Sequence, residues 1–373
     1  MKISIIGPAY PYRGGISQYN SLLTNELLSE GHEVNLISFK RMFPNFLYPG
    51  KSQKDYNSKI RSNHEDLIDS LNPITWVKTF LIIKKFNPEI LLINWWNPFF
   101  SIAFSSIASL VNRFTKIKII TICHNVLPHE RVLFDKFLTK IYFKRTHIFI
   151  THSAEEKRRV ESLIKNSIVI TASLPTYSIF EMKKISKEDA KDEIGIEDKR
   201  VILFFGLIRP NKGLIYLIKA MPLILKSIDV KLIVVGEFFS ESGEKYFDEI
   251  KRLGLEKNVK IINKYIPDEV VGIYYSASDV AIIPYVSGTS SAVLQTAFGL
   301  NKPVICTNVG FADDIEDGKT GFIVKKESPE ALAEAVIKFY TKKLEKEFIK
   351  NIKKNRDKFS WKNYIAVLKE CVS

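Results

Sequence analysis

Two short segments of the chain combine side chains that can bind phosphate. The first, residues 206–213, reads Gly-Leu-Ile-Arg-Pro-Asn-Lys-Gly and directly follows the apolar run Val201–Phe205. Arg209 and Lys212 lie three residues apart just before a helical stretch, so the two cations could hold two phosphates at a helix N-terminus. An ordinary loop with two solvated cations is the alternative.

The second segment, residues 284–295, reads Pro-Tyr-Val-Ser-Gly-Thr-Ser-Ser-Ala-Val-Leu-Gln and follows the apolar run Val280–Ile283. Its hydroxyls and free backbone N–H groups form a helix start that suits a pyrophosphate. A well-capped helix without a ligand is the alternative. The candidate ligand contacts of the two segments are Gly206, Ser287, Gly288, Thr289, Ser290, Ser291 and Gln295.

A third loop, residues 11–17, reads Pro-Tyr-Arg-Gly-Gly-Ile-Ser and follows the first apolar run of the chain. Gly14 and Gly15 let the backbone approach a ligand closely, and Arg13 could meet a diphosphate from the opposite side. The loop lacks the G-x-G-x-x-G pattern, which argues against a dinucleotide site. A plain flexible loop is the alternative.

Two histidines lie in the loop that follows the apolar run 117–123. His124 directly follows that run, and His129 comes five residues later. His124 is a candidate hydrogen-bond partner for a ligand hydroxyl, and a histidine satisfied by nearby backbone is the alternative. No metal-binding histidine pattern, serine nucleophile elbow or P-loop occurs. The acidic residues 313–317 read more simply as a solvated turn than as a metal site.

Composition restricts the class of protein and its partners. The 373 residues carry 55 Lys and Arg against 41 Asp and Glu, a net charge of +14 that favours anionic partners or reflects a solvated basic face. We find no nucleic-acid-binding motif. Three widely spaced cysteines and a strand-like N-terminus indicate a cytoplasmic protein. The apolar stretch 99–111 is shorter than the roughly 18 residues of a spanning helix, so we expect a buried or interfacial helix.

Continuous β-branched runs alternate with helical stretches, which predicts an α/β fold with two doubly wound, Rossmann-like domains. Ligands bind beyond the carboxyl ends of parallel strands, so we expect the two domains to face each other across a cleft. The predicted strands are 2–6, 34–39, 90–93, 117–122, 148–151, 168–171, 201–205, 231–235, 259–262, 280–283, 304–307 and 322–324. We place the N-terminal domain at 1–176, a connection at 177–198, the C-terminal domain at 199–356 and a returning helix at 357–373.

Taken together, these motifs resemble the retaining glycosyltransferase family 4, also called glycosyltransferase group 1, which has the GT-B fold. The resemblance covers nearly the whole chain. It rests on the opening strand and glycine loop, His124, the pair Arg209 and Lys212, and the segments Lys-Pro-Val-Ile and Asp-Gly-Lys-Thr-Gly-Phe at 302–305 and 317–322. By this resemblance Arg209, Lys212 and His124 are the catalytic residues, and the candidate ligand contacts, with Gly14 and Gly15, bind a nucleotide-sugar donor.

The chain departs from the family at the donor site, where the family has two glutamates that contact the donor sugar and the ribose. The matching positions here are Ser287 and Gln295. Gln295 keeps the capacity to hydrogen-bond ribose hydroxyls without charge, whereas Ser287 is too short to replace a glutamate. A bacterial-type subgroup without the paired glutamates is therefore expected, and donor identity stays open.

The resemblance implies transfer of a hexose from a nucleotide-diphosphate sugar to a glycan or lipid-linked glycan, without metal or other cofactor, in cell-surface polysaccharide biosynthesis. We expect the acceptor on the first domain, near Arg13, Trp95, Trp96 and His129. Aromatic residues with basic neighbours would suit an anionic membrane at the inner face of the plasma membrane, and ordinary core aromatics explain them equally well. A donor-binding protein without catalysis and a nucleotide-sugar epimerase are the alternative functions.

Overall fold

The structure, a computed structural model, describes residues 1–44, 46, 48, 52–128, 133–177, 180, 185–239 and 243–371. The chain forms two compact units, of which unit 1 contains Met1–Ser173 and Trp361–Ser373 and unit 2 contains Leu174–Ser360. The predicted connection 177–198 therefore lies within unit 2. Helix Lys187–Glu193 explains this, because its Ala190 packs against Ile273 and Ala277 of the same unit.

Unit 1 is built on a seven-stranded parallel sheet in the order β3-β2-β1-β4-β5-β6-β7. Its central strands are apolar on both faces, as expected of a parallel sheet covered by helices on each side. The strands are β1 (Lys2–Ile6), β2 (Glu33–Arg41), β3 (Glu65–Asp69), β4 (Ile90–Trp95), β5 (Lys118–Cys123), β6 (Ile148–Thr151) and β7 (Ile168–Thr171).

Helices cover both faces of this sheet. The chain's last described helix packs in unit 1, where the Tyr19 hydroxyl donates to the Tyr364 hydroxyl over 2.7 Å and Lys369 pairs with Glu30. The helices of unit 1 are α1 (Gly15–Ser29), α2 (Pro73–Phe86), α3 (Ser101–Phe114), α4 (Asp135–Phe143), α5 (Ala154–Leu163) and α13 (Trp361–Glu370).

Unit 2 contains a six-stranded parallel sheet in the order β10-β9-β8-β11-β12-β13. Its strands are β8 (Val201–Phe205), β9 (Lys231–Val235), β10 (Val259–Ile262), β11 (Val280–Ile283), β12 (Val304–Thr307) and β13 (Gly321–Val324). Its helices are α6 (Lys187–Glu193), α7 (Leu214–Leu225), α8 (Glu244–Arg252), α9 (Asp268–Ala277), α10 (Ala292–Gly299), α11 (Pro329–Thr341) and α12 (Glu345–Lys354).

The predicted α/β fold with two doubly wound sheets is confirmed, and the one strand that the sequence did not indicate is β3. This edge strand reads Glu-Asp-Leu-Ile-Asp, so its apolar content is too low for the continuous pattern of a buried parallel strand. It pairs with β2 through an irregular register. None of the helices in the described ranges is long and apolar enough to cross a membrane.

Candidate functional site

The two candidate phosphate-binding segments meet at one place in unit 2. Strands β8 and β11 are parallel neighbours at the centre of the sheet, although the chain forms β9 and β10 between them. This is the point where the strand order reverses, and open α/β sheets bind ligands beyond the strand ends at such points. The backbone N–H of Val286 donates to the carbonyl of Asn211 over 2.9 Å and ties the two loops together.

Gly213 allows the two loops to touch. Its φ is +68°, in the left-handed region that favours glycine. A Cβ atom at this position would lie 1.9 Å from the carbonyl oxygen of Pro284. Any other residue would push the loop after β8 away from the loop after β11, so this glycine sets the spacing between the candidate phosphate contacts.

Gly206 brings a second stretch of backbone to the start of α10. Its φ is +107°, and a Cβ atom here would lie 3.2 Å from a methyl group of Val293 in the first turn of α10. On its other side, a Cβ atom at Gly236 would lie 1.9 Å from the Gly206 carbonyl oxygen. The backbone of Gly206 therefore packs directly between Gly236 and the first turn of α10, with no room for a side chain at either glycine.

Arg209 and Lys212 are each held against an aromatic ring. The Arg209 guanidinium lies 3.9 Å from the centre of the Phe239 ring, and the Lys212 ammonium lies 3.7 Å from the centre of the Tyr285 ring. Rings attract cations by their negative faces, which positions both charges. The 3₁₀ turn Pro210–Lys212 places the two side chains on one loop.

The surroundings of Lys212 disfavour its charged ammonium form. Burial, and then the nearby charge of Arg209, lower its pKa from 10.5 to about 7. Its only charged neighbour in the described residues is thus another cation. A bound anion would stabilise the ammonium form of Lys212 and raise its pKa toward the ordinary value. The surroundings of Lys212 therefore favour a ligand with negative charge.

The start of α10 is the third candidate anion-binding element. The Ser291 hydroxyl caps the helix by accepting from the backbone N–H of Leu294 over 3.1 Å. Tyr285, which carries Lys212 on its ring, also hydrogen-bonds Ser291. Gly288 packs closely under Phe311 and Tyr285, since a Cβ atom there would lie 3.0 Å from the Phe311 ring. Thr289 is buried and Ser290 half-buried in the same turn.

The two positions that depart from the family have different environments. Ser287 is half-buried in the loop before α10. Gln295 is only 1% exposed, and its amide nitrogen donates to the Asp314 carboxylate over 2.9 Å. Its amide oxygen is buried and has no partner among the described residues. The predicted contact of Gln295 with a ligand stays a prediction, and Asp314 is a neighbour that the sequence did not indicate.

In unit 1, Asn94 orients His124. The Asn94 amide nitrogen donates to the carbonyl of Ile6 over 3.2 Å, which turns the amide oxygen toward His124 Nε2 at 2.8 Å. His124 Nε2 therefore carries the proton in this network and Nδ1 keeps its lone pair. Burial, and then the neighbouring His152, hold the pKa of His124 well below its usual value. His124 is thus a neutral hydrogen-bond acceptor at Nδ1.

Two further aromatic residues surround His124. The His152 ring lies 5.4 Å from the His124 ring, and the Tyr19 ring lies 4.9 Å from it. His152 Nδ1 donates to the carbonyl of Ala172 over 2.9 Å, and burial lowers the pKa of His152 to about 4. Asn94, His124 and His152 each stand at the carboxyl end of a strand, a signal that was visible in the sequence.

The glycine loop of unit 1 starts α1. Gly14 has a φ of +106° and precedes the first helical residue, Gly15. The Arg13 backbone N–H donates to the carbonyl of Gln53 over 2.9 Å, which anchors the loop. The predicted ligand contacts of Arg13, Gly14 and Gly15 stay predictions.

The structure separates the predicted acceptor residues. Trp95 is fully buried, its indole N–H donates to the Val126 carbonyl over 3.1 Å, and its ring stacks on Tyr142. Of the two interpretations of Trp95, the core aromatic is therefore the one that fits. Trp96 is half-buried, with its ring 4.5 Å from that of Phe100. His129 lies outside the described residues.

The acidic residues near 313–317 are used as structural partners. Asp314 accepts from Gln295, and the Asp317 carboxylate accepts from the backbone N–H of Ile323 over 2.9 Å. In the parts of the chain that the structure describes, no three His, Cys, Asp or Glu side chains come together as metal ligands. The expectation that no metal is required stays a prediction.

Two family models match the chain. The model described as "Glycosyl transferases group 1" matches residues 186–355, and the model described as "Glycosyltransferase Family 4" matches residues 13–170. The chain is 29% identical over 198 residues to the capsular polysaccharide biosynthesis glycosyltransferase CapM of Staphylococcus aureus, covering 51% of each protein. It is 25% identical over 218 residues to the putative teichuronic acid biosynthesis glycosyltransferase TuaC of Bacillus subtilis, covering 58% of this chain and 52% of TuaC. The matches thus span about half the length of these relatives.

A solved structure with a similar fold is Anabaena HepE in complex with UDP-glucose. It matches with a TM-score of 0.77 at 16% identity and covers 100% of this chain and 99% of HepE. At this identity the likeness concerns the fold. The two α/β units, each with a parallel sheet, and the two family models lead to one conclusion: the chain belongs to the glycosyltransferase group 1 and family 4 proteins and has the GT-B fold.

Proposed function

We propose that this protein is a retaining glycosyltransferase that moves a hexose from a nucleoside-diphosphate sugar to a glycan or lipid-linked glycan, without a metal ion. The observation that carries the proposal is the pair Arg209 and Lys212 at the reversal point of unit 2. Both cations lie against aromatic rings, and the only charge that faces Lys212 within the described residues is that of Arg209. A bound diphosphate would supply negative charge to Lys212.

In the proposed reaction the sugar–phosphate bond breaks and negative charge builds on the departing diphosphate. Arg209, Lys212 and the N-terminal backbone N–H groups of α10 stabilise that charge, which lowers the barrier most when the groups are already in place. The diphosphate oxygen then takes the proton of the attacking acceptor hydroxyl on the same face of the sugar, so no protein base is required. The catalytic role that the family resemblance gives to His124 stays a prediction.

The relatives support the class of substrate. CapM is named for capsular polysaccharide biosynthesis, TuaC for teichuronic acid biosynthesis, and HepE was solved with UDP-glucose. We propose a UDP-hexose as the first donor to test and a surface polysaccharide precursor as the acceptor. We further propose that the enzyme works in the cytoplasm at the inner face of the plasma membrane, where lipid-linked acceptors are presented.

A donor screen tests the proposal. We expect the protein to release nucleotide slowly from one nucleoside-diphosphate hexose in the absence of acceptor, and the rate to be unchanged by EDTA. Lys212→Ala should reduce this rate by about a hundredfold or more, since loss of one charge-stabilising group costs 10²–10³ in rate. Lys219→Ala, at an exposed lysine on α7, is the matched control and should behave as the wild type.

Three outcomes would count against the proposal. Near-normal turnover in a folded Lys212→Ala protein would reject the diphosphate site. Complete loss with EDTA, restored by Mg²⁺ or Mn²⁺, would reject the metal-free reaction. Tight donor binding without nucleotide release in the presence of acceptor extracts would indicate a binding protein, and free nucleotide with an altered free sugar would indicate an epimerase.

A further inference from the structure

We propose that the outer surface of helices α2, α3 and α4 in unit 1 docks on an anionic lipid bilayer. We call this surface the α2–α4 face. It is a consequence of the fold, because successive right-handed crossovers from β3 through β6 place these three helices on the same side of the sheet. The inference rests on the proposed function only in that a lipid-linked acceptor would be presented at such a bilayer.

Helix α2 carries an exposed apolar stripe. Ile74, Val77 and Leu81 are 66%, 48% and 54% exposed. They recur at intervals of three and four residues, so they line one side of the helix. The opposite side is already filled, since Phe80 and Ile83 are buried in the core of unit 1. The stripe is therefore additional to what folding requires.

The stripe continues onto the neighbouring helices. Phe114, at the end of α3, is 52% exposed and its ring lies 5.9 Å from that of Phe80 on α2. Phe134 and Phe137, at the start of α4, are each 63% exposed. Helix α3 packs against α4, and the Asn112 amide nitrogen of α3 donates to the carbonyl of Arg145, two residues after the end of α4, over 2.9 Å. Apolar side chains from three adjacent helices thus lie on one side of unit 1.

The charges on the α2–α4 face are positive. Residues 73–88 and 101–118 contain no Asp or Glu, and between 133 and 145 the only acidic residue is Asp135, which is buried. The exposed basic residues of these ranges are Lys78, Lys84, Lys85, Arg113, Lys116, Lys136, Lys140 and Lys144. Exposed apolar groups among cations are the composition that binds the interface of anionic membranes.

The positive charge of the α2–α4 face favours an anionic bilayer as its partner over a second copy of the chain. An isologous contact would bring the same lysines of two copies together, and like charges across a contact oppose association. The face also differs from Trp95, an aromatic residue that the sequence indicated, because Trp95 is buried in the core. The bilayer-facing groups are instead the outer residues of the helices.

Vesicle sedimentation tests the proposal with the full-length protein. We expect binding to phosphatidylglycerol–phosphatidylcholine vesicles at low salt, and little binding to pure phosphatidylcholine or at high salt. Lys84→Gln with Lys85→Gln should weaken binding about thirtyfold, from the usual contribution of a lysine near an anionic surface. The matched control is Lys353→Gln with Lys354→Gln, an exposed lysine pair in the last turn of α12.

A second variant tests the apolar part of the face. Ile74→Ser with Leu81→Ser should reduce vesicle binding at least tenfold, whereas Phe247→Ser, at an exposed apolar residue of α8, should not. Nucleotide release from donor in solution should be unchanged in all these variants, because none lies at the donor site. Failure of the donor site would leave vesicle binding intact, so the two proposals fail separately.

Three results would overturn the inference. They are equal binding to neutral and anionic vesicles, equal loss of binding in the control variants, and a dimer in vesicle-free solution that dissociates when the α2 stripe is changed.

Discussion

The lowered pKa of Lys212 predicts that donor binding depends on pH. In the free protein this pKa is about 7, because burial and Arg209 disfavour the ammonium form. A bound diphosphate favours that form, so the complex takes up a proton whenever the free side chain is neutral. The diphosphate of a nucleotide sugar is a diester that does not titrate near neutral pH, which leaves Lys212 as the group that changes.

The size of the effect follows from the fraction of free protein in which Lys212 is protonated. With a pKa of about 7, that fraction falls about 25-fold between about pH 6.5 and about pH 8.5, and the apparent affinity for a UDP-hexose falls with it. Isothermal titration calorimetry in buffers of different ionisation enthalpy measures both the affinity and the proton uptake. We expect uptake to approach one proton per donor above about pH 8.

Two variants make this test specific. Lys212→Arg keeps a charge that does not titrate, so its affinity should be nearly constant over the same pH range. Lys219→Arg, on the exposed side of α7, should keep the pH dependence of the wild type. Constant affinity in the wild type, or the same decrease in Lys212→Arg, would show that Lys212 is not the group that takes up the proton.

Two further predictions concern stability and are measured by chemical denaturation. Gly213→Ala should lower the free energy of unfolding by about 2 kcal/mol or more, because a Cβ there meets the Pro284 carbonyl, whereas Gly254→Ala, with a similar φ and open space, should cost only about 1 kcal/mol. The His152 pKa is about 4 in the folded protein and 6.5 ordinarily, so below 6.5 the unfolded state binds a proton that the folded state does not. The free energy of unfolding should therefore fall by up to about 3 kcal/mol toward pH 4. His152→Gln should abolish this fall, and an unchanged pH dependence in His152→Gln would contradict the prediction.

Much of the fold could be predicted from the sequence because its buried strands are short, continuous and β-branched. The runs Val201–Phe205 and Val280–Ile283 are strands with the predicted bounds. Since parallel strands end at a common edge, the polar residues that follow them could be assigned to that edge. Strand β3 was missed because an edge strand rich in carboxylates lacks this pattern.

The chemistry of the site was less predictable, because it depends on contacts between distant residues. The sequence indicated Lys212 as a phosphate contact, but it could not show that the ammonium group lies on the Tyr285 ring. Nor could it show that Gln295 donates to Asp314. The burial of Trp95 could not be predicted for the same reason, since it depends on contacts with Tyr142 and Val126, which lie elsewhere in the chain.

A crystal structure of the protein with a bound UDP-hexose would show whether a donor diphosphate binds at the reversal point of the sheet in unit 2. We expect phosphate oxygens within hydrogen-bond distance of the Lys212 ammonium, the Arg209 guanidinium and the backbone N–H groups at the start of α10. A diphosphate bound elsewhere, with Lys212 still on the Tyr285 ring and without an anionic partner, would contradict this expectation.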